Sequence, residues 1–259
     1  MKLDPDASTA GVRLIERDRV GSTNTEALTL ARAGERSPLW LVARAQTAGR
    51  GRRGRTWVSE PGNLYASLLL VAPVAPDRVA ELSFVAALAV RDAIASIPAA
   101  KNHALTLKWP NDVLIDGRKF AGILIEGEGA TVVVGIGINC VHHPQTTMFP
   151  ATDLAAMGVS VTAEEVFLAL SAAMQRRLEQ WDHGAGFAAI RRDWLAHAAM
   201  QGETVSISLP DGVRMGLFET VDVRGHLVLR LANGSRQTIA AGDVSGFRHE
   251  GDRPAAVEH

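Results

Sequence analysis

A single cysteine, Cys140, occurs in the 259 residues, so no internal disulfide forms, and no cysteine pair exists to build a zinc site. That usage fits a reducing cytoplasm. No stretch reaches the roughly 18 apolar residues of a membrane span. The opening Met1-Lys2-Leu3-Asp4-Pro5-Asp6 puts acids where a signal peptide carries its apolar core. A soluble, cytoplasmic protein with no membrane partner is expected. Net charge is also nearly absent: 27 Lys and Arg against 28 Asp and Glu leave −1, which excludes a global field for coating nucleic acid or anionic lipid. Internal repeats, low-complexity tracts and the Gly-Lys-Ser/Thr triplet of a Walker A loop are missing too.

Charge is present locally instead. Gly49-Arg50-Gly51-Arg52-Arg53-Gly54-Arg55-Thr56-Trp57 sets four guanidinium groups on a glycine-rich backbone. Glycine lets main-chain N–H groups approach a ligand, and each arginine is a forked, permanently charged donor suited to phosphate or carboxylate. A solvated basic turn or a short nucleic-acid patch would use the same residues. Position favours a ligand loop, because the run lies between the apolar stretches 39–43 and 64–71, each of strand character. Adjacent His142 and His143 lack partners at metal-site spacing and read as surface histidines.

At 47% hydrophobic content the chain can bury a large core, as one domain or as a main domain with an appendage. Residues 1–12 read as a loose leader and 12–15 as a short first strand. A helix follows, with Thr23 and Glu26 at capping-box spacing and Gly34 placed to end it. Ser22, Thr23 and Asn24 therefore sit at a helix N-terminus. They either cap the helix or present hydroxyls and N–H groups to a small polar ligand. Helical periodicity recurs from Asp77 to about Ile97, from near Thr162 through Trp181, and over 187–197. Between these lie β-branched runs at 105–109, 113–115, 120–126 and 131–138, split by Asp-Gly and Gly-Glu-Gly turns, which predict a mostly antiparallel meander. After residue 200 only short strands and turns follow, and closing them into a small barrel would remove their exposed edges. The expected organisation is a catalytic domain at 1–200, a small β-domain at 201–250 and a disordered tail at 251–259.

In order along the chain, Gly21-Ser22-Thr23-Asn24, Gln46, the arginine loop, Lys108-Trp109-Pro110-Asn111-Asp112-Val113, Arg118-Lys119-Phe120-Ala121-Gly122-Ile123-Leu124 and Gly135-Ile136-Gly137-Ile138-Asn139 together resemble biotin protein ligase. The resemblance covers about residues 12 to 250. It implies an α+β fold, a mixed and mostly antiparallel sheet flanked by helices with a small C-terminal SH3-like barrel. Some family members carry an N-terminal winged helix-turn-helix that binds operator DNA. With only about twenty residues before Ser22 there is no room for it, so the resemblance is to the non-repressor type, without DNA as partner.

The activity so implied has two steps. ATP, accompanied by Mg2+ on its phosphates, activates biotin as biotinyl-5′-AMP, and a lysine of a biotin carboxyl carrier domain of a carboxylase then takes the biotinyl group. The same resemblance assigns Ser22, Thr23, Asn24, Gln46, Arg50, Gly51 and Arg52 to biotin or its acyl phosphate. Lys119 reaches the carboxylate and α-phosphate. Arg52, Arg55, Trp57, Lys108, Asn111 and Asn139 surround the adenylate. Trp57 equally fits a core position, Asn139 a strand end and Gln46 an ordinary strand-end polar residue, while Lys108 could instead pack its stem along Trp109. Arg53 and Arg55 serve either phosphate contacts or a solvated surface. Arg52, Lys119 and Asp112 are the candidate catalytic set, Asp112 accepting the proton of the acceptor lysine or merely forming a turn. A lipoate or octanoate attachment enzyme and a non-catalytic RNA-binding module remain as alternatives.

Overall fold

The computed structural model describes residues 1–147 and 149–246. In chain order it contains α1 (Pro5–Thr9), β1 (Arg13–Val20), α2 (Thr23–Arg32), β2 (Leu39–Gln46), β3 (Leu64–Val71), α3 (Glu81–Ala95), β4 (Leu105–Lys108), β5 (Asp112–Ile115), β6 (Arg118–Glu128) and β7 (Thr131–Ile138). There follow α4 (Ala163–Trp181), α5 (Phe187–Leu195), β8 (Thr204–Leu209), β9 (Gly212–Val221), β10 (Leu227–Arg230), β11 (Arg236–Ile239) and β12 (Asp243–Gly246). No helix among the described residues is long and apolar enough to cross a membrane.

Seven strands form one sheet in the order β1-β2-β3-β7-β6-β5-β4. Only β1 and β2 run parallel, joined through α2; every other pair is antiparallel. The fold is thus the mixed, mostly antiparallel α+β arrangement expected. The inner strand β3 is mostly apolar because one of its faces is covered along its length and the other at one end. Leu64, Ala66, Leu68 and Leu70 pack in the large core with α3 and α4, while Leu69 faces Ala27 and Ala31 of α2. Since α2 is short, it covers only one end of its face. Beyond its N-terminus, the same face of β3 and β7 is left to Tyr65, Ser67, Gly135 and Gly137, and there the cavity opens.

The last five strands form an antiparallel sheet in the order β11-β10-β9-β8-β12. Among the described residues its end strands make no ladder with one another, so the expected barrel is hydrogen-bonded as an open sheet. Those ends are four residues each, which leaves little unpaired edge. The sheet shares the large core: Val205, Ile207, Phe218, Leu227 and Leu229 belong to the same apolar cluster as Phe84, Trp109 and Trp194. The Trp109 indole N–H also donates to the Gly225 carbonyl at 3.0 Å.

Local expectations fared unevenly. Thr162 forms the capping box with Glu165, but Thr23 does not cap with Glu26. The cap position falls on Ser22, without a side-chain cap bond, because Thr23 is drawn instead to Gln46. The leader is not loose: it folds into α1, buries Ala7, and the Asp4 N–H donates to Ser171 Oγ on α4 at 3.0 Å. The first strand extends to Val20 by pairing with β2. α3 starts later than predicted, at Glu81, after a 3-10 turn at Pro76–Arg78, and α5 stops at Leu195. The tail at 251–259 lies outside the described residues.

Candidate active site

A cavity of about 600 Å3 lies between the opened sheet face, the arginine loop and the edge of the C-terminal sheet. Its inner end is polar and buried. Ser22, Thr23 and Asn24 are each about 5% exposed or less. The Thr23 N–H and hydroxyl both donate to Gln46 Oε1 at 2.8 and 3.1 Å, and Gln46 Nε2 donates to Ser59 Oγ at 2.9 Å. Asn24 is clasped from several sides. Its Oδ1 accepts from Ser67 Oγ at 2.6 Å, and its Nδ2 donates to Glu126 Oε2 at 2.7 Å and to the Leu124 carbonyl at 3.3 Å. Such a cluster offers both donors and acceptors to a ligand with amide-like groups.

Two glycines explain the spacing of the Gly135–Asn139 segment. A Cβ at Gly135 would come within 2.3 Å of Asn24 Oδ1, and one at Gly137 within 2.5 Å of the Trp57 indole. The strand is stripped of side chains where others lie across it. Trp57 is half-buried, and its indole N–H is buried without a hydrogen-bond partner in the structure.

The arginine loop is a small hairpin. Arg50 bridges Thr56, the Gly51 N–H donates to the Arg55 carbonyl at 2.7 Å, and the tip turns at Arg52–Gly54. Left-handed φ values of 55° at Arg53 and 71° at Gly54 make the turn, and the glycine takes its share without strain. Two carboxylates serve the four guanidiniums. Arg50 Nη2 pairs with Glu126 Oε1 at 3.0 Å, and Asp243 on β12 receives Arg55 at 2.9 Å, Arg53 at 3.3 Å and Arg52 at 3.8 Å. Arg52 also donates to Asn111 Oδ1 at 3.1 Å and to the Gly242 carbonyl at 3.2 Å. Burial lowers the Arg52 pKa and Asp243 opposes it, but a guanidinium stays protonated regardless.

On the opposite wall, Asp112 lies between two lysines, with Lys119 Nζ at 2.6 Å from Oδ1 and Lys108 Nζ at 3.6 Å from Oδ2. The Lys119 approach is an ion pair without hydrogen-bond geometry, since Oδ1 has no hydrogen-bond partner. Burial pushes the Lys108 pKa down against the upward pull of Asp112. Lys108 also sits over the Phe149 ring at 4.4 Å, and Lys119 over Trp57 at 5.4 Å.

Ser22, Thr23, Asn24, Gln46, Arg50, Gly51, Arg52, Arg55, Trp57, Lys108, Asn111, Asp112, Lys119 and Asn139 all line this cavity; Arg53 points past it, to Asp243 and the Ser208 carbonyl. Asn139 Nδ2 donates to the Thr152 carbonyl at 3.0 Å. Sequence reasoning missed Glu126, Tyr65, Asp243 and Phe149. Glu126 and Tyr65 sit on strands already identified, where alternation could have placed them, whereas Asp243 and Phe149 carry no local signal. His143 is not a free surface histidine: its Nδ1 lies 2.6 Å from buried Asp153. Among the described residues, no cluster of three or more His, Cys, Asp or Glu could hold a metal.

The cavity, on a mixed sheet flanked by helices, thus sets buried hydroxyl and amide groups at one end and fixed cations along its length, a lining suited to a ligand with amide-like and anionic groups. Residues 17–141 match the Biotin/lipoate A/B protein ligase family, and residues 202–245 the Biotin protein ligase C terminal domain. The chain is 43% identical over 239 residues to the biotin–[acetyl-CoA-carboxylase] ligase of Paracoccus denitrificans, covering 87% of this chain and 97% of that one. The enzyme of the same name from Mycobacterium tuberculosis is 34% identical, covering 89% and 87%. Among solved structures, the biotin protein ligase of Aquifex aeolicus in complex with biotin and ATP superposes with a TM-score of 0.79 at 29% identity, over 92% of this chain and 99% of that one. The chain belongs to the biotin protein ligase family.

Proposed function

We propose that the chain activates biotin with ATP as biotinyl-5′-AMP and transfers the biotinyl group to a lysine of a carboxylase carrier domain. The observation that carries the assignment of roles is the alignment, in one cavity, of the Ser22–Asn24 cluster, Lys119 and Arg52. The buried cluster receives the ureido ring, whose N–H and C=O groups would each cost about 1–3 kcal/mol if left unpaired. The carboxylate then lies toward Lys119 and the arginine hairpin. Joining it to the α-phosphate brings two anions to about 4 Å, a repulsion of roughly 4 kcal/mol at an effective dielectric near 20. Arg50, Arg52 and Lys119 offset that repulsion with charge already in place.

The carboxylate oxygen attacks the α-phosphorus and pyrophosphate leaves, with Arg55 and Arg53 facing the departing phosphates. Trp57, Lys108, Asn111 and Asn139 hold the adenylate. Mg2+ would be carried by ATP itself and would offset the charge of its phosphates, since both carboxylates that line the cavity, Asp112 and Asp243, are already paired with cations. In the second step the acceptor lysine arrives at Asp112, which takes its proton so that the free amine attacks the acyl carbon and AMP leaves. The C-terminal unit, taken as 201–250, contributes Asp243 and so connects its β12 to the arginine hairpin. The single buried Cys140 supports a cytoplasmic location.

The test is incubation of the purified chain with ATP, magnesium and radiolabelled biotin, with and without a carrier domain, reading both the adenylate and labelled protein. Lipoate competing equally with biotin in ATP–pyrophosphate exchange would overturn the assignment of the acid. Arg52→Ala should form less adenylate and release part of it, seen as biotin on bystander proteins.

A further inference from the structure

Only four of the 27 basic side chains are lysines: Lys2, Lys101, Lys108 and Lys119. Two of these line the cavity. If an activated acid forms there, the enzyme holds two of its own primary amines against an acylating agent designed to react with a lysine. Arginine elsewhere avoids the problem, because a guanidinium does not become a free amine at biological pH.

The two internal lysines share one carboxylate, Asp112, at 2.6 and 3.6 Å. A carboxylate within that range stabilises the ammonium form, and an ammonium has no lone pair with which to attack. Without Asp112 two like charges would face each other, one of them on the almost fully buried Lys108. Burial and the Lys119 charge already favour the neutral amine there, and the remaining opposing charge is Asp243. The group with the least solvent is the one that gives up its proton.

We propose that Lys108 is a self-acylation site, and that Asp112 keeps it silent by holding its ammonium form. The inference rests on reading the cavity as the place where biotinyl-5′-AMP forms. In the unprotected state the Lys108 Nζ lone pair attacks the acyl carbon, an amide C–N bond forms, the anhydride C–O bond breaks, and AMP departs with the electron pair. The amine proton passes to solvent. Asp112 therefore serves twice, protecting the resident amine before the carrier arrives and accepting a proton from the visiting one.

The test compares the wild-type chain with Asp112→Asn and Asp112→Glu, each given synthetic biotinyl-5′-AMP without carrier and analysed by peptide mass spectrometry. Biotin on Lys108 is expected to rise roughly tenfold in Asp112→Asn, the equivalent of about one pKa unit, and to stay at the wild-type level in Asp112→Glu. Lys108→Arg in the Asn background should abolish it. In parallel, acetylation by an N-hydroxysuccinimide ester is read as the ratio of Lys108 to Lys101, independently of any biotin chemistry. That ratio should rise in Asp112→Asn and fall in Lys119→Met, which leaves Asp112 to Lys108 alone and serves should the first variant not fold. An unchanged ratio in either folded variant overturns the proposal. So does a raised ratio without biotin on Lys108 in a chain that makes the adenylate. A wild-type chain that neither makes nor binds the adenylate overturns the cavity reading, and the proposal with it.

Discussion

Asn24 Oδ1 occupies the space that a Cβ on Gly135 would need, at a separation of 2.3 Å. The carboxamide is locked there by Ser67, Glu126 and the Leu124 carbonyl, so it cannot swing aside without leaving buried polar groups unpaired. The glycine belongs to the geometry of the site as much as the asparagine does.

Gly135→Ala should therefore displace Asn24. An overpacked site of this kind costs about 1–3 kcal/mol, so the melting temperature should fall by several degrees. The Michaelis constant for biotin should rise by roughly tenfold or more, as the same energy implies, with ATP affected less. ATP–pyrophosphate exchange at varied biotin checks this. An unchanged biotin constant would show that Asn24 does not touch the acid.

Glu126 joins Asn24 to Arg50. Glu126→Gln keeps a partner for the Asn24 amide but removes the charge that holds Arg50. The pair is partly exposed, so the loss of stability should stay below about 1 kcal/mol. Biotin affinity, measured by calorimetry, should fall by several-fold, because Arg50 loses its fixed position.

Asp243 holds three arginines of the hairpin from another sheet. In Asp243→Asn that hold disappears, and trypsin should cut after Arg52, Arg53 or Arg55 several-fold faster in the ligand-free chain. Biotin with ATP should restore protection, since phosphates substitute for the missing carboxylate. Equal cleavage rates in the two chains would mean that the backbone bonds of the hairpin hold it alone.

Cys140 is fully buried, and burial pushes its thiol up to about 12, against roughly 8.5 in an unfolded chain. The folded state thus binds the proton more tightly. The stability this contributes is complete below about pH 8.5 and is lost as the pH rises toward 12. Urea unfolding between pH 7 and 10 should show a steeper alkaline decline for the native chain than for Cys140→Ala, and the native thiol should resist alkylation until the chain unfolds.

Much of this was legible in the residues. The hairpin turn at Asp116-Gly117 and the capping box at Thr162 act over a few residues and appear where their chemistry puts them, while the turn expected at Gly127–Gly129 falls on Gly129 and Ala130, because Gly127 and Glu128 pair with β7. The arginine hairpin announced itself by composition. The capping box at Thr23 failed because Gln46, distant in sequence, competes for the same N–H and hydroxyl. His143 was misread for a similar reason: its partner Asp153 arrives from beyond a loop. The small C-terminal β-unit appears as expected, and among the described residues its end strands make no ladder with one another, a point that strand periodicity alone does not decide.

The sequence by itself determined which groups carry charge, which can accept or donate, and which segments run as helix or strand, because those properties act over a few residues or are intrinsic to a side chain. Only the tertiary structure decided that one carboxylate on β12 would gather three arginines, that one on β5 would lie between two lysines, and that glycines on β7 would make room for Asn24 and Trp57. Those outcomes depend on distances between residues far apart in the chain, and such distances are set by how the sheets pack.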